Sequence, residues 1–222
     1  MSKFLPLDET LYQYVIAHRS LADDALLDEL RTETEGLGDI SKMLISREQG
    51  SFLTLLTKLL NVGRAVEVGT FTGYSASCIA CGLAPAGQLT CFDSSEEWTS
   101  IARRHWKRAG LAEFIDLRLG NAAELLPRFV SDHPIDLAFI DANKTGYNEY
   151  YEILLPMMRP GGLFIFDNML WGGDIVKTPL TDPDGIAIDV LNKKLARDPR
   201  VESVLLPIAD GLHLCRKLGE KR

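Results

Sequence analysis

Five short apolar runs, RAVEV (64–68), QLTCF (88–92), FIDLRL (114–119), IDLAFI (135–140) and GLFIF (162–166), are separated by stretches of helical spacing near 73–83, 95–109, 122–131 and 146–158. Strand–helix alternation with apolar, β-branched strands predicts a parallel sheet covered by helices on both faces. A loop over 167–183 and a helix near 184–197 follow, and then VESVLLP and GLHLCRKL with only Ile-Ala-Asp between them. Asp210-Gly211 is a turn signal, and so short a link permits a hairpin but no parallel crossover. The expected fold is α/β, a mostly parallel sheet with one antiparallel strand near its end.

Ahead of the first strand, residues 8–35 read as two helices. Asp8 is the expected N-cap of LYQYVIAH, and ADDALLDELRTET carries leucines at helical spacing. GLGDISKMLIS reads as a loop. Ser46 with Gln49 matches a capping box, after which FLTLLTKLL runs to an expected stop at Gly63. No repeat or long linker divides the 222 residues, a length that suits one domain.

The formal charge of −7 repels nucleic acid and anionic lipid at long range, so neither is the default partner. No apolar run approaches the roughly 18 residues of a membrane span. The first residues lack a basic segment followed by an apolar one, and a cytoplasmic protein is expected. Cys78 and Cys81 form a C-x-x-C, read as two small residues on one buried helix face, since Cys91 and Cys215 offer no second pair for zinc. His18, His105, His133 and His213 are scattered and read as surface or packing residues.

Two groups of residues carry chemistry. The first is AVEVGTFTGYSAS, where Gly69 and Gly73 stand at a strand-to-helix turn that lets backbone approach a ligand. About 20 residues on, Asp93 closes the second strand, where an acid can accept both ribose hydroxyls of a nucleoside. The spacing E-x-G-x-x-x-G differs from the dinucleotide fingerprint G-x-G-x-x-G, and with the closing hairpin it favours S-adenosylmethionine over NAD. The second group is Asp141 and Asp167, each ending a predicted strand and sharing one edge of the sheet if those strands are neighbours, with Asn168 beside the latter. Two carboxylates and an amide oxygen make a hard, all-oxygen set suited to Mg²⁺, Mn²⁺ or Ca²⁺. Lys144 lies three residues past Asp141, and a lysine beside a divalent cation is disfavoured in its charged form, which suits a general base.

MLISREQGSFL (43–53), AVEVGTFTGYSA (65–76), FIDANKTGYNEYY (139–151), RPGGLFIFDNMLWGG (159–173) and DPRVESVLLPIADGLHLCRK (198–217) together resemble the cation-dependent class I O-methyltransferases of the catechol and caffeoyl-CoA type. The resemblance implies a Rossmann-like, seven-stranded sheet with an antiparallel C-terminal strand, and a single domain in which residues 1–45 cover the substrate side of a 46–222 core. It implies that Met43, Glu67, Gly69, Thr70, Gly73, Tyr74, Ser75, Asp93, Ala122 and Asp141 bind S-adenosyl-L-methionine. It also implies that Asp141, Asp167 and Asn168 hold the cation, Mg²⁺ first, and that Lys144 with Asp141 carries catalysis. A small aromatic acceptor with two adjacent hydroxyls and a homodimer are implied as well. Trp171 stands either as a wall for the acceptor ring or as ordinary packing. The motif reads D-A-N-K where many relatives have D-A-D-K, and acyl-CoA recognition loops are not matched. Two alternatives stay open: methylation of a hydroxylated uridine in tRNA, and a non-catalytic nucleoside- or NAD-binding protein.

Overall fold

The computed structural model describes residues 5–20 and 25–219. Its elements run α1 (Glu9–Ala17), α2 (Ala25–Glu35), α3 (Arg47–Leu59), β1 (Arg64–Val68), α4 (Tyr74–Ala80), β2 (Gln88–Asp93), α5 (Glu96–Arg108), β3 (Ile115–Leu119), α6 (Ala122–Leu125), β4 (Ile135–Ile140), α7 (Tyr147–Leu154), β5 (Met158–Phe166), α8 (Pro183–Leu195), β6 (Val201–Leu206) and β7 (Leu212–Lys217). The strands form one seven-stranded sheet in the order β3-β2-β1-β4-β5-β7-β6. Strands β1 to β5 are parallel, and β7 pairs antiparallel with both β5 and β6. The closing hairpin expected from the three-residue link is therefore present.

Alternation along the strands builds two cores. On one face Val66, Val68, Phe164 and Phe166 pack against Tyr147, Tyr151 and Leu154 of α7 and Ile188 and Leu191 of α8. On the other, Leu89, Leu137, Phe139 and Ile165 pack against Leu53 of α3, Ile79 of α4 and Trp106 of α5. Each such fully buried side chain contributes about 1.5–3 kcal/mol of transfer free energy, so β4 and β5, apolar on both faces, form a firm platform for the residues at their ends.

Several local readings are corrected. Asp8 does cap α1, its side chain accepting from Leu11 N at 2.9 Å. Ser46 sits at the N-cap of α3 but makes no side-chain cap bond, and Gln49 is turned into the protein interior, so the capping box does not close. Helix α3 stops at Asn61 (φ 50°), with Val62 N bonding Thr57 O and Asn61 N bonding Lys58 O, a Schellman motif two residues before Gly63. The expected 122–131 helix is one turn, because Pro127 passes it into a 3-10 turn over Leu126–Arg128. The 73–83 and 146–158 helices end earlier, at Ala80 and Leu154, and 3-10 turns occupy Gly38–Met43 and Trp171–Val176 within the expected loops. Cys78 is buried while Cys81, just past α4, is exposed, so the pair does not share a buried face. Residues 22–24 of the second expected helix lie outside the described residues. Among the described residues no helix is long and apolar enough to cross a membrane.

Candidate active site

The strand order reverses direction between β1 and β4, and open α/β sheets bind ligands beyond the carboxyl ends of such strands. A cleft of about 1190 Å³ opens at that edge. Met43, Gly69, Thr70, Tyr74, Ser75, Asp93, Ala122, Asp141, Lys144, Asp167 and Asn168 all line it; Glu67 and Gly73 do not. Of the described residues up to 45, Lys42 to Ile45 reach the cleft, whereas α1 packs on α3 and α2 on α4 and α5.

The glycine loop after β1 is shaped first by the protein itself. Gly69 has φ +91°, and a Cβ there would lie 1.9 Å from the main-chain oxygen of Asp141. Gly73, at φ +86°, would drive a Cβ into Ala102 and Trp106. At these two positions the missing side chain makes room for neighbouring backbone and helix α5, while Gly69 still borders the cleft. Asp93 stiffens the loop: its Oδ2 accepts from Thr70 N and Phe71 N, both at 2.8 Å, and its Oδ1 from Ser95 N at 2.8 Å. Tyr74 opens α4, but its ring turns to the N-terminal helices, with the Arg31 guanidinium 4.5 Å from its centroid. Ala122 lines the cleft at the start of α6, whose cap is the Asn121 side chain, accepting from Ala123 N at 3.0 Å.

Glu67 lies beneath this loop. Alternation along β1 turns it away from Val66 and Val68 toward Cys91, whose thiol donates to Oε2 at 3.4 Å. It is fully buried, and burial pushes its carboxyl up to about 7; Ser75 and Thr70 hydroxyls face it and partly offset that rise. Neither closes a full hydrogen bond, leaving Glu67 Oε1 and Thr70 Oγ1 as buried polar atoms without partners. Unpaired buried groups of this kind are costly unless a ligand completes them.

The second half of the cleft is carboxylate-rich. Ile140 pairs with Phe166 across β4 and β5, so the next residues, Asp141 and Asp167, stand side by side. Lys144 Nζ donates to Asp141 Oδ1 at 2.9 Å and to Tyr147 Oη at 2.7 Å, and Tyr147 in turn donates to the Asp167 main-chain oxygen at 3.2 Å. Asp167 is 3% exposed. Burial, and then the neighbouring Asp141 charge, hold its carboxyl well above the usual range. Gln49 of α3 faces it and pulls the other way, though its Nε2 closes no hydrogen bond. Asn168 adopts φ 57°, and its main-chain N–H donates to Asp167 Oδ1 at 2.7 Å. Two close carboxylates, one of them buried, with an amide oxygen beside them match the chemistry of a hard divalent cation. Among the described residues no cluster of three His, Cys, Asp or Glu has metal-binding geometry, so the carboxylates here number two, with the Asn168 side chain beside them.

Sequence reasoning missed three contributors. Gln49 was absorbed into a cap, Tyr147 stood only inside the 139–151 motif with no role of its own, and Asp210 was read as a turn former. Asp210 lies at the cleft and accepts from Asn168 Nδ2 at 3.4 Å and from Gly172 N at 2.6 Å. Only the Tyr147 spacing, one helical turn past Lys144, was visible locally. Trp171 lines the cleft, with its Nε1 donating to Asp182 Oδ2 at 2.5 Å, and it also packs against the core beneath.

A seven-stranded sheet with a reversed last strand and a cleft at the β1–β4 switch is the class I methyltransferase fold. Residues 17–218 match the family described as O-methyltransferase, and the chain belongs to that family. It is 36% identical over 228 residues to caffeoyl-CoA O-methyltransferase 2 of Eucalyptus globulus, covering 98% of this chain and 92% of that one. It is 35% identical over 231 residues to tricin synthase 1 of Oryza sativa subsp. japonica, covering 98% and 91%. Among solved structures, the O-methyltransferase of Bacillus cereus in complex with S-adenosylhomocysteine superposes with a TM-score of 0.86 at 29% identity, over 94% of this chain and 97% of that one. The O-methyltransferase of tomaymycin synthesis from Streptomyces achromogenes, in complex with S-adenosylmethionine, gives 0.86 at 27% identity, over 96% and 100%.

Proposed function

We propose that this O-methyltransferase moves a methyl group from S-adenosyl-L-methionine to one hydroxyl of a small aromatic acceptor carrying two adjacent hydroxyls, with a divalent cation, Mg²⁺ first, held by Asp141, Asp167 and Asn168. The observation that carries the reading is the convergence of these three oxygen-bearing side chains beside Lys144, in the same cleft as the glycine loop. A cation bound there supplies polarisation of the acceptor hydroxyl, lowering the cost of removing its proton.

The residues of the chain supply the rest. The orphaned Thr70 hydroxyl at the cleft, with the buried Glu67 beneath it, and the Asp93-braced loop suit a polar, nucleoside-bearing methyl donor. Met43, Gly69, Gly73, Tyr74, Ser75 and Ala122 shape or border the space it would fill. Lys144 takes the acceptor's hydroxyl proton; its ties to Asp141 and Tyr147 fix where the nitrogen sits. The acceptor oxygen then forms the new O–CH₃ bond as the S–CH₃ bond breaks, leaving the neutral thioether. Holding the two reactants in line accounts for much of the acceleration, on the order of 7–11 kcal/mol at best.

The charge of the cleft bears on the acceptor. Glu149, Asp184 and Asp210 join the two strand-end aspartates along it, against Lys42 and Lys144. Such a lining disfavours polyphosphate, so a free aromatic is preferred here over a CoA ester or a tRNA. A homodimer and a cytoplasmic location belong to the same proposal.

The test is transfer of labelled methyl from S-adenosylmethionine to caffeic acid with Mg²⁺ and with EDTA. Product that forms with Mg²⁺ and is lost in EDTA is expected. Transfer that persists in EDTA removes the cation from the reading. No transfer, with the donor shown to bind, moves the acceptor elsewhere, a hydroxylated tRNA base being next.

A further inference from the structure

The β6–β7 turn is joined to the segment after β5 by four hydrogen bonds. Met169 N donates to Gly211 O at 3.0 Å and Leu170 N to Asp210 O at 2.8 Å. The Asp210 carboxylate makes the other two, accepting Gly172 N at 2.6 Å through Oδ1 and Asn168 Nδ2 at 3.4 Å through Oδ2. The junction is tight: Gly211 has φ +90°, and a Cβ on it would lie 2.5 Å from Leu170 Cγ. Asn168 itself stands at φ 57°, in the left-handed region that Asn tolerates better than most residues.

From this junction we infer that Asp210 is a positioning residue for the proposed cation site: it holds the Asn168 amide with its nitrogen outward, leaving the carbonyl oxygen for the cation. The inference rests on the cation reading above. An amide can be turned end for end, and only the donors around it decide which way it lies. A carboxylate attracts the NH₂ end and repels the carbonyl end. Asn168 Oδ1 accepts no hydrogen bond among the described residues, so the end Asp210 leaves over is uncommitted. The same carboxylate also accepts from Gly172 N, so one side chain bonds both the Asn168 amide and the main chain next to Trp171.

Partners of metal ligands commonly change affinity by about 10–100-fold when altered. Asp210→Asn keeps size and loses one of the two bonds in either orientation: it sets NH₂ against the Asn168 NH₂, or NH₂ against Gly172 N–H. The expected result, read by Mn²⁺ titration with electron paramagnetic resonance in the absence of acceptor, is a roughly 10-fold or greater rise in the Mn²⁺ Kd. S-adenosylhomocysteine affinity and far-ultraviolet dichroism stay unchanged, and turnover recovers at saturating Mg²⁺. Asp182→Asn, which alters the Trp171 tie without touching Asn168, leaves the Mn²⁺ Kd within about twofold of the parent, far below that outer-shell effect.

Mn²⁺ affinity unchanged in folded Asp210→Asn overturns the inference and leaves the cation reading intact. Equal weakening in both variants also overturns it, since it signals general loosening of the loop. No Mn²⁺ binding by the parent enzyme removes the cation site and the inference together.

Discussion

Lys144 Nζ lies 2.7 Å from Tyr147 Oη, one helical turn along the chain, and Tyr147 spends its own proton on the Asp167 main-chain oxygen. The phenol therefore acts as an acceptor toward Lys144. It is a buried anchor that sets the amine between Asp141 and the cleft. Replacing Lys144 with Met should lower kcat by about 10²–10⁴, the usual contribution of a positioned acid or base, with donor affinity little changed. Tyr147→Phe should give a smaller loss in kcat and cost roughly 1–3 kcal/mol of stability, because the Asp167 carbonyl loses its donor. Steady-state kinetics with urea unfolding check both; a Tyr147→Phe enzyme as slow as Lys144→Met would contradict the anchoring role.

Asp141 faces two ways, toward Lys144 and toward Asp167. Asp141→Ala should abolish cation-dependent turnover while S-adenosylhomocysteine binding, followed by calorimetry, stays within about an order of magnitude, since losing one hydrogen-bond partner is worth roughly 1 kcal/mol. It should also bring the Asp167 carboxyl down toward its ordinary range, because one of the two causes of its elevation is removed. Retained cation-dependent activity would reject the assignment.

Much of this was legible because it is local. Strand periodicity located all seven strands, and a carboxylate ending a strand is visible beside the strand itself. The hairpin followed from a link too short for anything else. What escaped depends on distance along the chain. Asp210 is 42 residues from Asn168, and its turn chemistry with Gly211 explained it fully without the site. Gln49 satisfied a cap pattern that the backbone does not use, because its side chain is buried and faces Asp167 instead. Glu67 belongs to the loop motif, yet it is fully buried beneath the loop against Cys91 and does not itself line the cleft. The Gly63 stop failed because Asn61 takes the left-handed state first.

Gly69 is explained by a contact rather than by its loop. With φ +91° and a Cβ position 1.9 Å from Asp141 O, Gly69→Ala adds a backbone clash to an unfavourable dihedral. Gly110 offers the control: φ +69° with nothing within 4 Å of its Cβ. Gly110→Ala should cost about 1–2 kcal/mol, the dihedral penalty alone. Gly69→Ala should cost more than roughly 3 kcal/mol and should weaken activity beyond its loss of stability, since the displaced atom belongs to Asp141. Urea denaturation of the two variants side by side measures the difference, and equal costs would show that the loop yields.

The buried Glu67 makes stability depend on pH. Its carboxyl rises from an ordinary value of 4.5 to about 7 in the fold, so the folded state prefers the protonated form. The stability this preference supplies is fully present below the unfolded value and is lost as pH rises through about 7. Glu67→Gln keeps the neutral shape at every pH. Measured by urea unfolding without ligand, the two proteins should be similar near pH 4.5. The Gln variant should be the more stable at pH 8, by up to roughly 3 kcal/mol. Asp167 titrates with the same sign in both proteins, so the difference between them isolates Glu67. Parallel pH profiles would mean that Glu67 ionises freely in the fold, and that its unpaired oxygen is satisfied by water rather than held for a ligand.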